Sequence, residues 1–253
     1  MGKIIAIVNQ KGGVAKTTTA INLAAAVSAM GHKTLLVDLD PQGNASSGLG
    51  IERRSIKHCI YDMLINNAPC EAVTIHTDYE NLDLIPATIQ LAGAEVELVS
   101  AISRENKLRR SLRPQKPFYD YIFIDCPPSL GLLTVNALAA ADGLLIPLQC
   151  EYYALEGLSQ LLATYELIHN NLNPELRIEG VLLTMCTHTN LSSQVEAEAR
   201  EYFGDKVFRT VISRSVKLSE APSHGMPGVF YDKRSKGAEE YQAFAKEFLE
   251  GNC

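Results

Sequence analysis

Gln10-Lys11-Gly12-Gly13-Val14-Ala15-Lys16-Thr17-Thr18 gathers small residues, two ammonium groups and two hydroxyls within nine positions. Side chains of these types at this spacing suit an anion. Glycines let backbone N–H groups converge on a phosphate, a lysine neutralises it, and a Thr hydroxyl ligates a divalent cation. In a nucleoside triphosphate site, Lys16 reaches the β- and γ-phosphates and Thr17 ligates Mg²⁺. A glycine-rich turn with incidental lysines is the plainer alternative. Context disfavours it, because the apolar run Ile4-Ile5-Ala6-Ile7-Val8 precedes the loop and a helical stretch follows at once.

Two acidic segments complete the set. Val37-Asp38-Leu39-Asp40-Pro41-Gln42-Gly43-Asn44 ends a second apolar run, and strand alternation puts Asp38 and Asp40 on one side of an extended chain. Tyr121-Ile122-Phe123-Ile124-Asp125 ends in an acid before Cys126-Pro127-Pro128-Ser129-Leu130, an arrangement in which Asp125 binds Mg²⁺ through water. A lone Asp after a strand is usually a cap or turn residue. Three such segments in this order reverse that reading.

To act together, the three segments must leave strands at one edge of a sheet. Short Ile-, Val- and Leu-rich runs predict strands at Lys3–Val8, Thr34–Asp38, Leu82–Ile85, Tyr121–Asp125, Gly143–Pro147 and Gly180–Thr184, with a short one near Val207–Val211. Thr17–Met30, closed by Gly31, and Ala154–Asn170 read as crossover helices, and Leu91–Leu112 has helical composition throughout. Tyr241, Phe244, Ala245, Phe248 and Leu249 form a one-faced apolar stripe among acidic residues, which suits packing on the sheet rather than on anionic lipid. The expected fold is α/β, a doubly wound, mostly parallel sheet flanked by helices, in a single domain spanning residues 1–253.

Composition narrows the function classes. A net charge of −6 builds in no global attraction to nucleic acid, so any DNA contact must come from a local patch. Cys59, Cys70, Cys126, Cys150, Cys186 and Cys253 show neither C-x-x-C nor metal-ligand spacing and read as buried reduced thiols. The N-terminal apolar run is too short for a membrane span, lacks a signal-peptide layout and fails the myristoylation pattern at Ala6, so a cytoplasmic protein is expected.

Gln10 and Ala15 break the standard pattern G-x-x-x-x-G-K-[ST]. The loop instead resembles K-G-G-x-x-K-[ST], the deviant Walker A loop of the ParA/MinD/nitrogenase-iron-protein superfamily, in which Ala15 stands where the family often has a second glycine. Asp38-Leu39-Asp40-Pro41-Gln42 and Asp125-Cys126-Pro127-Pro128-Ser129 resemble its two switch sequences. Gln149–Leu158, Gly180–Met185 and Leu218–Gly225 resemble segments of the chromosomal ParA proteins, often called Soj, so the likeness covers nearly the whole chain.

The resemblance implies a P-loop ATPase with weak intrinsic activity, using ATP and Mg²⁺ and dimerising around nucleotide. Lys11, Gly12, Gly13, Val14, Ala15, Lys16, Thr17 and Thr18 form the phosphate loop, and Lys11 crosses the dimer interface to the opposite nucleotide. Asp40 positions the attacking water with Asp38 behind it, while Met185, Ser213 and Arg214 border the base. His224, in a turn beside Pro222 and Gly225, reads as structural.

In the family, dimers carrying ATP bind DNA without sequence preference and a ParB partner stimulates hydrolysis, in chromosome or plasmid partitioning on the nucleoid. Arg214, Lys217, Lys233, Arg234 and Lys236 are the DNA candidates, with a solvated charged face as the plainer alternative. The loop Met185–Leu191 looks shortened and carries His188 near a position where the family often has an arginine, which puts DNA affinity in question. Two other roles share the loop: an ATP-state regulator of replication initiation, and a MinD-like positioning ATPase, for which the acidic end Glu247–Cys253 is a poor membrane anchor.

Overall fold

The computed structural model describes residues 2–151, 158–187 and 189–251; the start of the expected helix Ala154–Asn170, together with His188 and Cys253, lies outside them. The strands are β1 (Lys3–Ile7), β2 (Thr34–Asp38), β3 (Ile75–His76), β4 (Leu82–Ile85), β5 (Tyr121–Asp125), β6 (Gly143–Gln149) and β7 (Arg177–Thr184). They form one seven-stranded sheet in the order β3-β4-β2-β5-β1-β6-β7, parallel except where β3 meets β4.

Both faces of the sheet are covered, which is why its strands are continuous apolar runs. Alternation divides their side chains between two cores: Ile4, Ala6, Leu35 and Val37 enter one, and Ile5, Ile7 and Leu36 the other. On the second face lie the helices Lys16–Ala29 and Lys236–Glu250. Alanines 24 to 26 of the first are buried, so it sits close against the sheet, and Gly31 at φ 92° ends it as expected. Ser235 caps the second by accepting from the Ala238 N–H, and Tyr241, Phe244, Ala245 and Phe248 fill the core beneath it. Leu91–Leu98, Lys107–Leu112, Leu132–Ala140, Leu158–Asn171 and Asn190–Phe203 cover the opposite face.

Three expectations are corrected and one unforeseen strand is added. Leu91–Leu112 is not one helix. The chain breaks at Ser103, φ 52°, and resumes helix at Lys107, leaving Ile102 90% exposed while Leu98 and Leu108 stay buried. Buried Asn136 of a neighbouring helix makes the break tolerable, because its side chain accepts from Leu108 N (3.2 Å) and donates to Arg104 O (2.8 Å).

Val207–Val211 forms no strand, only a single bridge between Val207 and Val181. The amides that would extend a ladder are taken by Glu247 of the terminal helix, which accepts from Arg209 N at 2.7 Å and Thr210 N at 2.8 Å. β3 was not anticipated, since two residues carry no period-2 signal. Finally, Cys150 and Cys186 are joined as a disulfide, whereas Cys59, Cys70 and Cys126 are free and buried as expected. Strand pairing produces the encounter: Gln149 of β6 is registered with Thr184 of β7, so the next residues along leave the sheet side by side.

Candidate nucleotide site

The ends of β1, β2 and β5 meet at one edge, where Asp125 is registered with both Ile7 and Asp38. β5 and β6 flank β1 on opposite sides, so the loop leaving β1 enters the crevice at which the sheet order reverses. All three sequence segments therefore converge.

Side chains behind the loop fix its path. Buried Asn9 donates to Pro147 O at 2.8 Å and accepts from Lys11 N at 3.0 Å. The Thr184 hydroxyl donates to Val14 O at 3.1 Å, and Lys16 Nζ donates to Lys11 O at 2.8 Å. Val14 is buried and serves through its backbone. Gly13 sits at φ 74°, and a Cβ on Gly12 or Gly13 would meet nothing within 4 Å, so that side of the loop is open.

Ala15 adopts φ 63°, ψ 29°, the left-handed region, immediately before the helix. An L side chain there is strained by about 1–2 kcal/mol, which gives a physical reason for a glycine at this position. Ala15→Gly relieves that strain but loosens the unfolded chain by about 0.4–1 kcal/mol. In urea unfolding its stability should therefore equal the parent's or exceed it by up to about 1.5 kcal/mol. A drop beyond about 1 kcal/mol would contradict the strain assignment.

The charged groups are mostly buried. Burial lowers the Lys16 pKa, opposed by Asp125, Cys126 and Asp40. Asp38 accepts from Ser46 N (2.8 Å), Ser46 Oγ (2.7 Å) and Asp40 N (3.2 Å), yet burial still pushes its pKa up to about 6. Asp40 remains near the surface of the cleft, 8% exposed, and accepts from Gln42 N at 2.9 Å.

Asp125 is fully buried, and neither of its oxygens has a well-formed hydrogen bond. Burial, reinforced by Asp38, raises its pKa well above the carboxylate range, with the Thr17 hydroxyl and Lys16 pulling the other way. An orphaned buried carboxylate is costly, and a divalent cation relieves that cost. A carboxylate and the Thr17 hydroxyl are hard oxygen donors of the kind Mg²⁺ takes, with water or phosphate oxygens completing its shell. Among the described residues no cluster of three or more His, Cys, Asp or Glu side chains is arranged to hold a metal without such help.

A cleft of about 330 Å³ runs over Gly12, Gly13, Ala15, Lys16, Thr17 and Thr18 to Asp40, Gln42, Asn44, Pro128 and Met185. A second cavity of about 100 Å³ shares Ala15, Thr18 and Met185 and is closed by Ile212, Ser213, Arg214, Ser215, Leu218, Ser219 and Tyr241. The three expected base-pocket residues thus line one cavity next to the phosphate loop. Glu240 holds Ser213 there, accepting from its N–H at 2.7 Å and its hydroxyl at 2.6 Å. Lys11 and Asp125 line neither space: Lys11 is half-buried at the loop, and Asp125 lies beneath it.

Sequence reasoning missed Tyr241 and Glu240, because a stripe of core residues with acids between them looks the same whether or not one member borders a ligand. Gln42, Asn44 and Pro128 sit inside quoted motifs and were legible there.

The five candidate DNA cations are exposed in the segment between residues 214 and 236. Lys217 pairs with Glu220 at 3.0 Å and lies 5.8 Å from the Tyr231 ring centre, and Lys233 lies 5.8 Å from that of Phe230. Lys236 approaches Glu240 at 3.7 Å. His224 stacks on Tyr231 at 4.9 Å, a structural contact.

The chain is similar to known proteins over most of its length. The model of a family described as "AAA domain" matches residues 2–178. The sporulation initiation inhibitor protein Soj of Bacillus subtilis (strain 168) is 62% identical, covering 98% of this chain and 98% of its own. The chromosome-partitioning ATPase Soj of Treponema pallidum (strain Nichols) is 53% identical over the same shares of both chains.

Among solved structures, cobyrinic acid a,c-diamide synthase from Mycobacterium smegmatis with bound ADP and magnesium superposes with TM-score 0.87 at 36% identity, covering 99% of this chain and 95% of that one. The septum site-determining protein MinD of Pyrococcus horikoshii OT3 with Mg-ADP superposes with TM-score 0.83 at 28% identity, covering 98% and 96%. With such identity to two Soj proteins across nearly the full length of each chain, the protein belongs to the ParA/Soj family of chromosome-partitioning P-loop ATPases.

Proposed function

We propose that the protein is an ATP-dependent dimerisation switch that hydrolyses ATP slowly with Mg²⁺ and works in chromosome or plasmid partitioning. The observation that carries this reading is the unpartnered Asp125 carboxylate, buried beneath a phosphate-sized cleft that continues into a base-sized cavity. Phosphoryl transfer asks little covalent help of a protein, only positioning and compensating charge. Lys16 and the amides of residues 12 to 18 bind the phosphates, Thr17 and Asp125 hold Mg²⁺, and Asp40 orients the attacking water. Mg²⁺, when bound, neutralises phosphate charge. Lys11 supplies a cation to the nucleotide of a second copy, so turnover requires the homodimer.

Cargo contact is assigned to five exposed cations between residues 214 and 236, of which Arg214 lines the second cavity. Arg214, Lys217, Lys233, Arg234 and Lys236 form a patch for nonspecific DNA, and a ParB-type activator triggers release. Among the described residues no helix is long and apolar enough to cross a membrane. The site of action in this reading is the cytoplasm, at the nucleoid.

The test uses Asp40→Ala, which binds ATP without turning it over. At low salt it should retard duplex DNA only when ATP is present. Lys233→Ala or Arg234→Ala should flatten the salt dependence by about 0.9 per lost phosphate contact. DNA binding indifferent to ATP would remove the partitioning role, and absence of saturable Mg²⁺-ATP binding by calorimetry would remove the switch itself.

A further inference from the structure

The disulfide lies where it restrains the nucleotide site without touching it. Cys150 follows β6, is 5% exposed, and donates its N–H to Thr184 O at 3.2 Å. Cys186 lies two residues beyond Thr184, and the two cysteine Cα atoms are 5.2 Å apart. The segment between them in space has two attachments to the site. Thr184 holds the Val14 carbonyl of the phosphate loop, and Met185, at φ 52°, borders both the phosphate cleft and the base cavity. Cys186 itself is tied to the far wall, donating its N–H to Ile212 O and accepting from Arg214 N, each at 3.1 Å. A covalent link from Cys150 to Cys186 therefore pins one wall of the base cavity to the end of β6.

We propose that Cys150 and Cys186 are a reversible dithiol–disulfide pair whose oxidised form slows nucleotide release. The oxidant is a small-molecule disulfide such as glutathione disulfide. Cys186, partly exposed beside the exposed Thr187, attacks one of its sulfurs as the thiolate, breaking that S–S bond and expelling one thiolate. Cys150 then attacks Cys186 Sγ, forming the internal bond and expelling the second thiolate. The protein loses two protons and two electrons, and the small disulfide becomes two thiols. The other described cysteines are unsuited to this exchange: Cys59, Cys70 and Cys126 are buried, with burial pushing Cys70 up to about 11 and Cys126 well above its ordinary value. Met185 borders both spaces, so a nucleotide seated there leaves faster when that wall opens, and a cross-link across the wall suppresses local opening.

This regulatory effect rests on the nucleotide-site reading above; formation of the bond does not. Protein in a Cys253→Ser background would be incubated with glutathione disulfide or with dithiothreitol, weighed intact by mass spectrometry, and followed by stopped-flow release of a fluorescent ATP analogue. The expected results are a 2 Da loss, abolished by Cys150→Ser or Cys186→Ser, and release at least about fivefold slower in the oxidised form. Both serine variants should release nucleotide at the reduced parent's rate under either condition. Failure to form the bond, or a bond with no change in release rate, overturns the switch alone. Failure to bind nucleotide in both redox states overturns the site reading and the switch with it.

Discussion

Lys11→Ala should bind ATP within a few-fold of the parent and hydrolyse it at least about 100-fold more slowly, the scale of losing one preorganised group from a transition state. The two halves of this expectation come from different atoms of one residue. The backbone of Lys11 shapes the loop, with its N–H on Asn9 and its carbonyl holding Lys16, and alanine preserves both contacts. Its ammonium has no hydrogen-bond or ion-pair partner among the described residues and lines neither cavity of its own chain.

Mixing Lys11→Ala with Asp40→Ala separates action across the dimer from action within one chain. Half of randomly paired dimers are mixed, and each then holds one site with both an intact Asp40 and a Lys11 from the other copy. Activity should recover to about a quarter of the parent's in such an isologous pairing. If colorimetric phosphate release shows no recovery although mixed dimers form, Lys11 acts in its own subunit.

Asp125→Asn should make the nucleotide-free protein more stable at neutral pH, because the amide keeps the shape of the side chain and removes a charge that burial and Asp38 both oppose, while removing Mg²⁺-dependent hydrolysis. The sign follows from linkage. A carboxyl whose pKa is raised on folding binds its proton more tightly in the native state, so its contribution to stability falls as pH rises through the shifted range. Asp38, raised to about 6 and registered opposite Asp125, behaves the same way. The parent without nucleotide should therefore lose stability from about pH 4 to pH 6 through Asp38 and on above that through Asp125, and Asn at position 125 should shrink that loss by removing one of two facing charges. Urea midpoints across this range, with and without Mg²⁺-ATP, measure both effects. An Asp125→Asn protein that is less stable than the parent and still gains Mg²⁺-dependent stabilisation would remove Asp125 from the metal site.

Legibility followed locality. Strands β2, β4 and β5 have the boundaries that their apolar runs predict, and the phosphate loop with its two acidic segments was readable because each lies within a few residues. What escaped depends on partners distant in sequence. Glu247 withdraws the amides of Arg209 and Thr210 from a strand, Asn136 satisfies the break near Ser103, and Glu240 seats Ser213 in the cavity beside the phosphate loop. Cys150 and Cys186 are separated by 36 residues and meet only because β6 and β7 pair in register. The backbone strain at Ala15 was equally invisible, since residue type alone does not specify φ.

The terminal helix has a consequence for how the protein is made. Residues 10 to 18 emerge from the ribosome early, yet the cavity beside them is closed by Tyr241, whose hydroxyl shares a hydrogen bond with Thr19 at 3.0 Å. Phe244 and Phe248 cover the same core face as the helix Lys16–Ala29. During synthesis at about 5–20 residues per second, the face of that helix turned toward Lys236–Glu250 therefore waits uncovered until the end of the chain is made. A ribosome stalled before Lys236 therefore presents a chain whose second cavity lacks Tyr241 and whose core on that face lacks Phe244 and Phe248, an apolar surface suited to chaperone capture.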